Sequence, residues 1–300
     1  MNPKHRAVSY FLGLFVICLA ECVSAQPPTK YTPTGGALVY PQDAPTLDIN
    51  HDATSYQSGF DTDTNRAMPI LFIVGDSTVH NKLGGRVGWG DVIGKYFDTN
   101  KIRVENHALA GRSSRTFITQ GWWNKIMAAA KPGDYVLIQM GHNDSGPIDD
   151  TSRARGTIHG IGDEQKLIHN PITQSDETVH TYGWYMREYV SDARAKGMTA
   201  LICSPVPHAP KSEVKPDDIE KSDYVGFAGE VATNENVTFI NLNRIVMQHF
   251  AGMSPESIKG KYYVPGDTTH FNGAGAELNA QSVVDGLEAS DSSLKQFLLK

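Results

Sequence analysis

The segment Ile70-Leu71-Phe72-Ile73-Val74-Gly75-Asp76-Ser77-Thr78 joins five consecutive apolar residues to a turn. An unbroken apolar run of this length is the pattern of a strand buried on both faces, as in a parallel sheet covered by helices. Gly75 stops the run, and the residues after it favour turns. The rest of the chain supplies the sheet such a strand needs. Residues 102–106, 135–140, 198–203 and 237–242 read as four more strands. Residues 89–97, 116–130, 176–195, 219–233 and 273–287 read as helices, two of them closed by Lys131-Pro132-Gly133 and Lys196-Gly197. Strand and helix alternate, which predicts an α/β fold: a three-layer α/β/α sandwich around a central five-stranded parallel sheet. Residues 141–175 and 204–217 read as long loops, the second carrying four prolines. In such sheets ligands bind beyond the carboxyl ends of the strands.

The chain has 300 residues and a formal net charge of −6, with no block of Lys or Arg. Nucleic-acid binding is therefore not expected. The N-terminus runs from a basic start, Lys4-His5-Arg6, through an apolar stretch to Val23-Ser24-Ala25. That order describes a secretory signal peptide over residues 1–25, cleaved after Ala25, and the product is expected to be secreted or periplasmic. The apolar stretch falls short of the roughly 20 residues a membrane span needs, and no later stretch reaches that length. Glu21 stands where a lipoprotein signal needs a small residue before Cys22, so lipidation is not expected. Residues 26–68 read as an irregular extension and residues 69–300 as one catalytic domain. Of three cysteines only Cys203 lies beyond the leader, in an apolar run that suits a buried thiol.

Four short blocks carry the candidate chemistry. Ser77 follows the first strand in Gly75-Asp76-Ser77-Thr78, where a side chain can project from the sheet end; the same tetrapeptide also reads as an ordinary turn. Asp267 precedes His270 by three residues. A carboxylate so placed can accept the Nδ1 proton of the ring and leave Nε2 free to take a proton from a serine. The alternative is a capping Asp or Thr beside a solvated His. Gly111, after the second strand, and Asn143, after the third, can offer a backbone and a side-chain N–H to a developing oxyanion. Either also reads as a plain loop residue.

Taken together the blocks resemble the SGNH, or GDSL-type, hydrolase family, whose pattern places Ser, Gly, Asn and His in this chain order. Gly75-Asp76-Ser77-Thr78, Gly88-Trp89-Gly90, Ala110-Gly111-Arg112-Ser113 and Gly141-His142-Asn143-Asp144 are similar to the rhamnogalacturonan acetylesterase branch. Asp267-Thr268-Thr269-His270 departs from it slightly, since a His is common between that Asp and His. The resemblance covers about residues 69–290. It implies a flavodoxin-like SGNH fold with Ser77 as nucleophile, His270 as base and Asp267 as its orienting partner. The oxyanion donors would be the Ser77 and Gly111 N–H groups and Asn143, while Asp76 braces the turn. It further implies a serine esterase that removes acetyl groups from pectin-type plant polysaccharide.

Other readings stay open on the residues alone. A lipid or thioester hydrolase and a non-catalytic glycan-binding protein are compatible with the same fold. Arg112, Arg115, Arg153, Arg155 and Lys166 are candidates for meeting substrate carboxylates, or are simply solvated. Trp89, Trp122, Trp123 and Trp184 suit either sugar stacking or packing. His159 and His169 lack metal-ligand spacing, so neither a metal nor a cofactor is expected. Asn236-Val237-Thr238 and Asn143-Asp144-Ser145 both fit a glycosylation sequon, the second at the expected site itself.

Overall fold

The computed structural model describes residues 63–215 and 223–300. The expected signal peptide, its cleavage point after Ala25, residues 26–62 of the extension and the beginning of the helix expected from Ile219 lie outside the described residues. Strand β1 (Ile70–Gly75) is buried along its length. Two 3-10 turns (Trp89–Asp91 and Ile93–Tyr96) lead to β2 (Arg103–Asn106), α1 (Ser114–Thr119), α2 (Trp122–Ala129) and β3 (Tyr135–Gln139). A hairpin of β4 (Gln165–Asn170) and β5 (Ser175–His180) precedes α3 (Tyr182–Ala195), β6 (Thr199–Cys203), α4 (Asp223–Asn234) and β7 (Thr238–Ile240). Helices α5 (Leu242–Phe250), α6 (Pro255–Tyr262) and α7 (Gly273–Glu288) follow.

The central sheet is parallel, in the order β2-β1-β3-β6-β7. Leu71 stands opposite both Val104 and Tyr135, and Leu137 opposite Leu201. Alternate side chains of β1 feed two separate cores. Leu71 and Ile73 pack with Leu137, Leu201, Val246 and Val283 on the face covered by α5 and α7. Ile70, Phe72 and Val74 pack with Phe117, Trp123 and Tyr189 on the face covered by α1, α2 and α3. These are the three layers expected. The strand order reverses at β1, so the end of β1 opens on the crevice where such sheets bind ligands.

Several elements differ from the sequence reading, each for a local reason. The helix expected over 116–130 is two helices, broken where Gly121 takes a left-handed φ of 77°. The one expected over 89–97 is two 3-10 turns. Residues 165–170 and 175–180, read as loop and as the start of a helix, form the β4–β5 hairpin. There Ile168, Asn170, Glu177 and Val179 are buried and alternate with exposed neighbours, a period of two carried partly by polar residues. The last strand stops at Ile240 because the Asn241 side chain accepts the Arg244 N–H and caps α5. Helices α5 and α6, read as neither helix nor strand, fill part of the stretch before residue 273. Cys203 is buried, as its apolar run suggested.

Candidate active site

The turn after β1 is built so that one side chain alone stays accessible. A Cβ on Gly75 would lie 2.4 Å from Val79 Cγ2 and 2.9 Å from the Gln139 carbonyl oxygen, so the chain folds back there only as glycine. Asp76 closes the turn: its Oδ1 accepts the Thr78 N–H and the Thr78 hydroxyl, both at 2.8 Å. Its carbonyl accepts the Val79 and His80 N–H groups. Asp76, Thr78 and Val79 are buried, and Ser77 between them is half-buried. A buried chain of hydrogen bonds holds this turn. Trp89 Nε1 donates to Gln139 Oε1 at 2.8 Å, and Gln139 Nε2 donates to Thr78 Oγ1 at 2.7 Å. Asp91 adds a second tie, accepting from Asn81 N, Gly88 N and Asn106 Nδ2.

His270 reaches the turn from the loop before α7. Ser77 Oγ lies 2.9 Å from His270 Nε2, and His270 Nδ1 lies 2.8 Å from Asp267 Oδ2. A carboxylate can only accept from Nδ1, which leaves Nε2 as the acceptor for the Ser77 hydroxyl. Asp267 is itself fixed by two backbone donors, Thr269 N at 2.8 Å and His270 N at 3.0 Å, both to Oδ1. Burial pushes the Asp267 carboxyl up, but these N–H groups and the His270 ring outweigh it and hold it well below the usual carboxylate range. The carboxylate is thus charged wherever the ring can act as a base.

Ser77, Gly111, Asn143 and His270 line one cleft of about 340 Å³. Gly111 has a φ of 77°, a conformation that favours glycine. Among the described residues neither the Ser77 nor the Gly111 N–H has a hydrogen-bond acceptor in the protein. Asn143 is buried, and its Nδ2 donates one proton to the Arg112 carbonyl at 2.8 Å. That bond orients the amide and leaves the second Nδ2 proton for another acceptor. A serine with a base, an orienting carboxylate and three N–H donors is the equipment of acyl transfer.

Several cleft residues carried no role in the sequence reading. Arg86 donates from Nε to Asp267 Oδ2 at 3.1 Å, and only its place after Gly84-Gly85 hinted that it turns inward. His208, from the proline-rich loop, lines the cleft beside His142, and their rings meet edge to face at 5.1 Å. Burial holds the His142 ring down at about 4, against the pull of Asp76 and helped by His208 and His270, so it is neutral at neutral pH. Beneath the loop, burial pushes Asp144 up to about 7, although Ser114 N and Oγ both donate to it.

The five cationic candidates divide. Arg153 and Arg155 line the cleft. Arg115 is fully buried and pairs in two parallel bonds of 2.7 Å with Glu177, so it is a staple between α1 and β5. Arg112 is buried against Gln120 and the Ala110 carbonyl. Lys166 stands exposed on the hairpin and is not among the cleft residues. Trp89 and Trp123 belong to the two cores, Trp122 lies under Lys125, and Trp184 stacks on His180. Among the described residues no group of three or more His, Cys, Asp or Glu is placed to hold a metal ion, and no helix is long and apolar enough to cross a membrane.

Comparison with known proteins places this fold in a known family. The model of the GDSL-like lipase/acylhydrolase family matches residues 73–278. A rhamnogalacturonan acetylesterase of Emericella nidulans is 28% identical over 231 residues, 77% of this chain and 89% of that protein. The rhamnogalacturonan acetylesterase RhgT of Bacillus subtilis is 27% identical over 244 residues, 76% of this chain and 94% of that protein. Among solved structures, protein YxiM of Bacillus subtilis superposes with a TM-score of 0.59 at 25% identity, over 74% of this chain and 56% of that one.

Proposed function

The chain belongs to the GDSL-like lipase/acylhydrolase family and is a carboxylic ester hydrolase, and from that premise we propose that it is an exported acetylesterase acting on pectin-type polysaccharide. Ser77 Oγ attacks the ester carbonyl while His270 Nε2 takes its proton. The oxyanion that forms is held by the Ser77 and Gly111 N–H groups and by Asn143 Nδ2. Collapse of this intermediate expels the sugar hydroxyl, which receives the proton from His270, and leaves acetyl-Ser77. Water, deprotonated by His270, then attacks the acyl carbonyl and releases acetate. Asp267 keeps the ring in the tautomer both halves require.

One observation carries the reading: the continuous relay from Ser77 through His270 to Asp267, at 2.9 and 2.8 Å, in a cleft lined mostly by polar residues. Leu83 and Ala110 are the apolar side chains of that cleft, which suits a two-carbon acyl group and a hydrated leaving group better than a long lipid chain. The relatives named rhamnogalacturonan acetylesterase support the polymer. Export rests on the basic, apolar and small-residue order of residues 1–25, since a polymer of that size does not enter a cell. The test is acetate release from acetylated rhamnogalacturonan by wild type and by Ser77→Ala, with acetyl and octanoyl nitrophenyl esters alongside. Release by wild type, a loss of about 10³–10⁶-fold in the variant, and slower octanoyl cleavage are expected. Faster octanoyl cleavage with no acetate from the polymer moves the enzyme to lipid substrates. Full activity in Ser77→Ala removes the nucleophile.

A further inference from the structure

The segment Ser204-Pro205-Val206-Pro207-His208-Ala209-Pro210 leaves the end of β6 and brings an imidazole to the cleft. Three prolines in these seven residues leave the backbone little freedom, since each fixes its own φ. Hydrogen bonds fix its place. Ser204 N donates to the Ile240 carbonyl at 3.0 Å, the Tyr263 hydroxyl to the Pro207 carbonyl at 2.9 Å, and Ala209 N to the Thr268 carbonyl at 2.8 Å. The His208 ring is held as well: it meets His142 edge to face at 5.1 Å, and its Nδ1 lies 3.1 Å from Oγ1 of Thr269, the residue before His270. His208 is exposed, and among the described residues its Nε2 has no hydrogen-bond partner. We propose that His208 is a specificity-determining residue whose Nε2 binds a hydroxyl on the alcohol half of the ester, so that the enzyme selects acetyl esters of polyhydroxylated alcohols over plain ones. This rests on the cleft being an esterase centre.

The chemistry of the ring selects a hydroxyl. Thr269 can donate to Nδ1 or accept from it. In the first case Nε2 carries the ring proton and donates; in the second it is a bare acceptor. A hydroxyl is donor and acceptor at once, so it meets the ring in either state, whereas a carbonyl meets only one of them. The acetyl half of the ester carries no hydroxyl, so the partner lies on the alcohol half. His208 also stands where two cavities adjoin. It lines the Ser77 cleft and, with His142, Ser145, Pro205 and Tyr224, a second cavity of about 330 Å³. An alcohol held at His208 therefore has room to continue past it. A ring braced by Thr269 and His142 before substrate arrives loses little freedom on making this bond.

The experiment measures kcat and KM on a monoacetylated methyl glycoside and on cyclohexyl acetate, two ring esters told apart chiefly by the hydroxyls around the ring. Wild type is expected to favour the glycoside. In His208→Ala the ratio of the two kcat/KM values is expected to fall by about 3–10-fold, through a raised KM for the glycoside with its kcat retained, because one hydrogen bond to an accessible partner is lost. His208→Gln, which offers both a donor and an acceptor, is expected to recover part of the ratio. Thr269→Val keeps the backbone N–H that serves Asp267 and removes only the hydroxyl. It is expected to lower the ratio less than His208→Ala does, and to add nothing to it in the double variant. Equal losses on the two esters overturn the proposal and make His208 a brace for the His270 loop. Additive losses in the double variant also overturn it, since Thr269 would then act independently of His208. A wild type inactive on both esters sinks the esterase reading itself, whereas cleavage of both with a ratio that His208→Ala leaves unmoved sinks the role of His208 alone.

Discussion

Arg86 donates its Nε–H to Asp267 Oδ2 at 3.1 Å, the same oxygen that accepts the His270 Nδ1 proton at 2.8 Å. The carboxylate oxygen is therefore shared between a permanent cation and the ring proposed to become a cation during catalysis. Asp267→Asn keeps an oxygen for the Thr269 and His270 N–H groups but can present an N–H to the ring and favour the wrong tautomer. A fall in kcat of about 10³–10⁴-fold with the fold intact is expected. Arg86→Gln acts more gently. Removing its charge makes the imidazolium less unfavourable, so the acidic limb of the kcat/KM profile moves to higher pH. The shift should be a few tenths of a unit, since a partly exposed pair is worth about 0.2–1 kcal/mol. An acidic limb that does not move separates Arg86 from the relay.

Asp144 gives the fold a pH dependence of its own. Its folded carboxyl titrates at about 7, raised by burial, against an ordinary value near 3.9. Between those values the folded state binds a proton that the unfolded state releases, so this group's contribution to stability falls as pH rises from about 4 to 7. Asp144→Asn retains an acceptor for Ser114 N and Oγ without that ionisation. The variant should therefore gain on wild type as pH is raised, by about 2 kcal/mol between pH 5 and pH 8. His142, held down at about 4, acts in the opposite sense: its contribution is complete above about pH 6.5 and is lost as pH falls through 4. Taking the difference between variant and wild type at each pH isolates Asp144. Thermal unfolding at the two pH values checks this, and a constant offset between the proteins contradicts it.

The central sheet was legible because burial on both faces leaves a plain mark in sequence. All six residues of β1 and all five of β3 are buried; β1 opens with five consecutive apolar residues, and β3 with four before Gln139. Ser77, Gly111, Asn143 and His270, which the structure brings into one cleft, could be picked out because each lies within a few residues of a strand end or a helix start. The β4–β5 hairpin was not, since its inward face includes Asn170 and Glu177, whose burial depends on Arg115 far away in sequence. Arg115 itself was misread for the same reason: an arginine near a site looks like a ligand for substrate until its partner is seen. Helix α5 did carry a signal in Leu242, Val246, Met247 and Phe250 behind the Asn241 cap. Arg86 left almost none, because its role comes from a contact with Asp267, 181 residues away.

Gly88 is the tightest crossing around the Ser77 turn. A Cβ there would lie 2.2 Å from both the carbonyl carbon and oxygen of Val79 and 2.4 Å from His80 N. All three are backbone atoms and cannot swing aside. Gly88→Ala must separate the Gly88-Trp89-Gly90 segment from the turn, stretching the Trp89 N–H to Thr78 carbonyl bond of 3.2 Å. A loss of about 2–4 kcal/mol is expected, within the range for overpacked buried sites. Denaturant unfolding measures it. Activity of the folded fraction should fall as well, since Trp89 also anchors Gln139 and through it Thr78. A variant as stable and active as wild type shows that the crossing is looser than its contacts indicate.

The proposed role of Asn143 can be tested by separating transition-state binding from substrate binding. Its Nδ2 already gives one proton to the Arg112 carbonyl at 2.8 Å, so the amide plane is set before substrate arrives. A preset donor strengthens its bond as charge develops on the ester oxygen and gains little from the neutral carbonyl of the bound ester. Asn143→Ala should therefore lower kcat by about 10²–10³-fold with little change in KM. Asn143→Asp is the sharper variant. It sets a carboxylate oxygen where Nδ2 faces the Arg112 carbonyl, repelling both that oxygen and the oxyanion. Its kcat should fall at least as far as in Asn143→Ala, and its thermal midpoint should drop where the alanine variant's drops less, because an acceptor now faces an acceptor in a buried place. Steady-state kinetics on an acetyl ester, read beside the two melting curves, decide the point. A change confined to KM in Asn143→Ala would make the residue a binding group, and an Asn143→Asp variant with kcat near wild type would remove it from the oxyanion site.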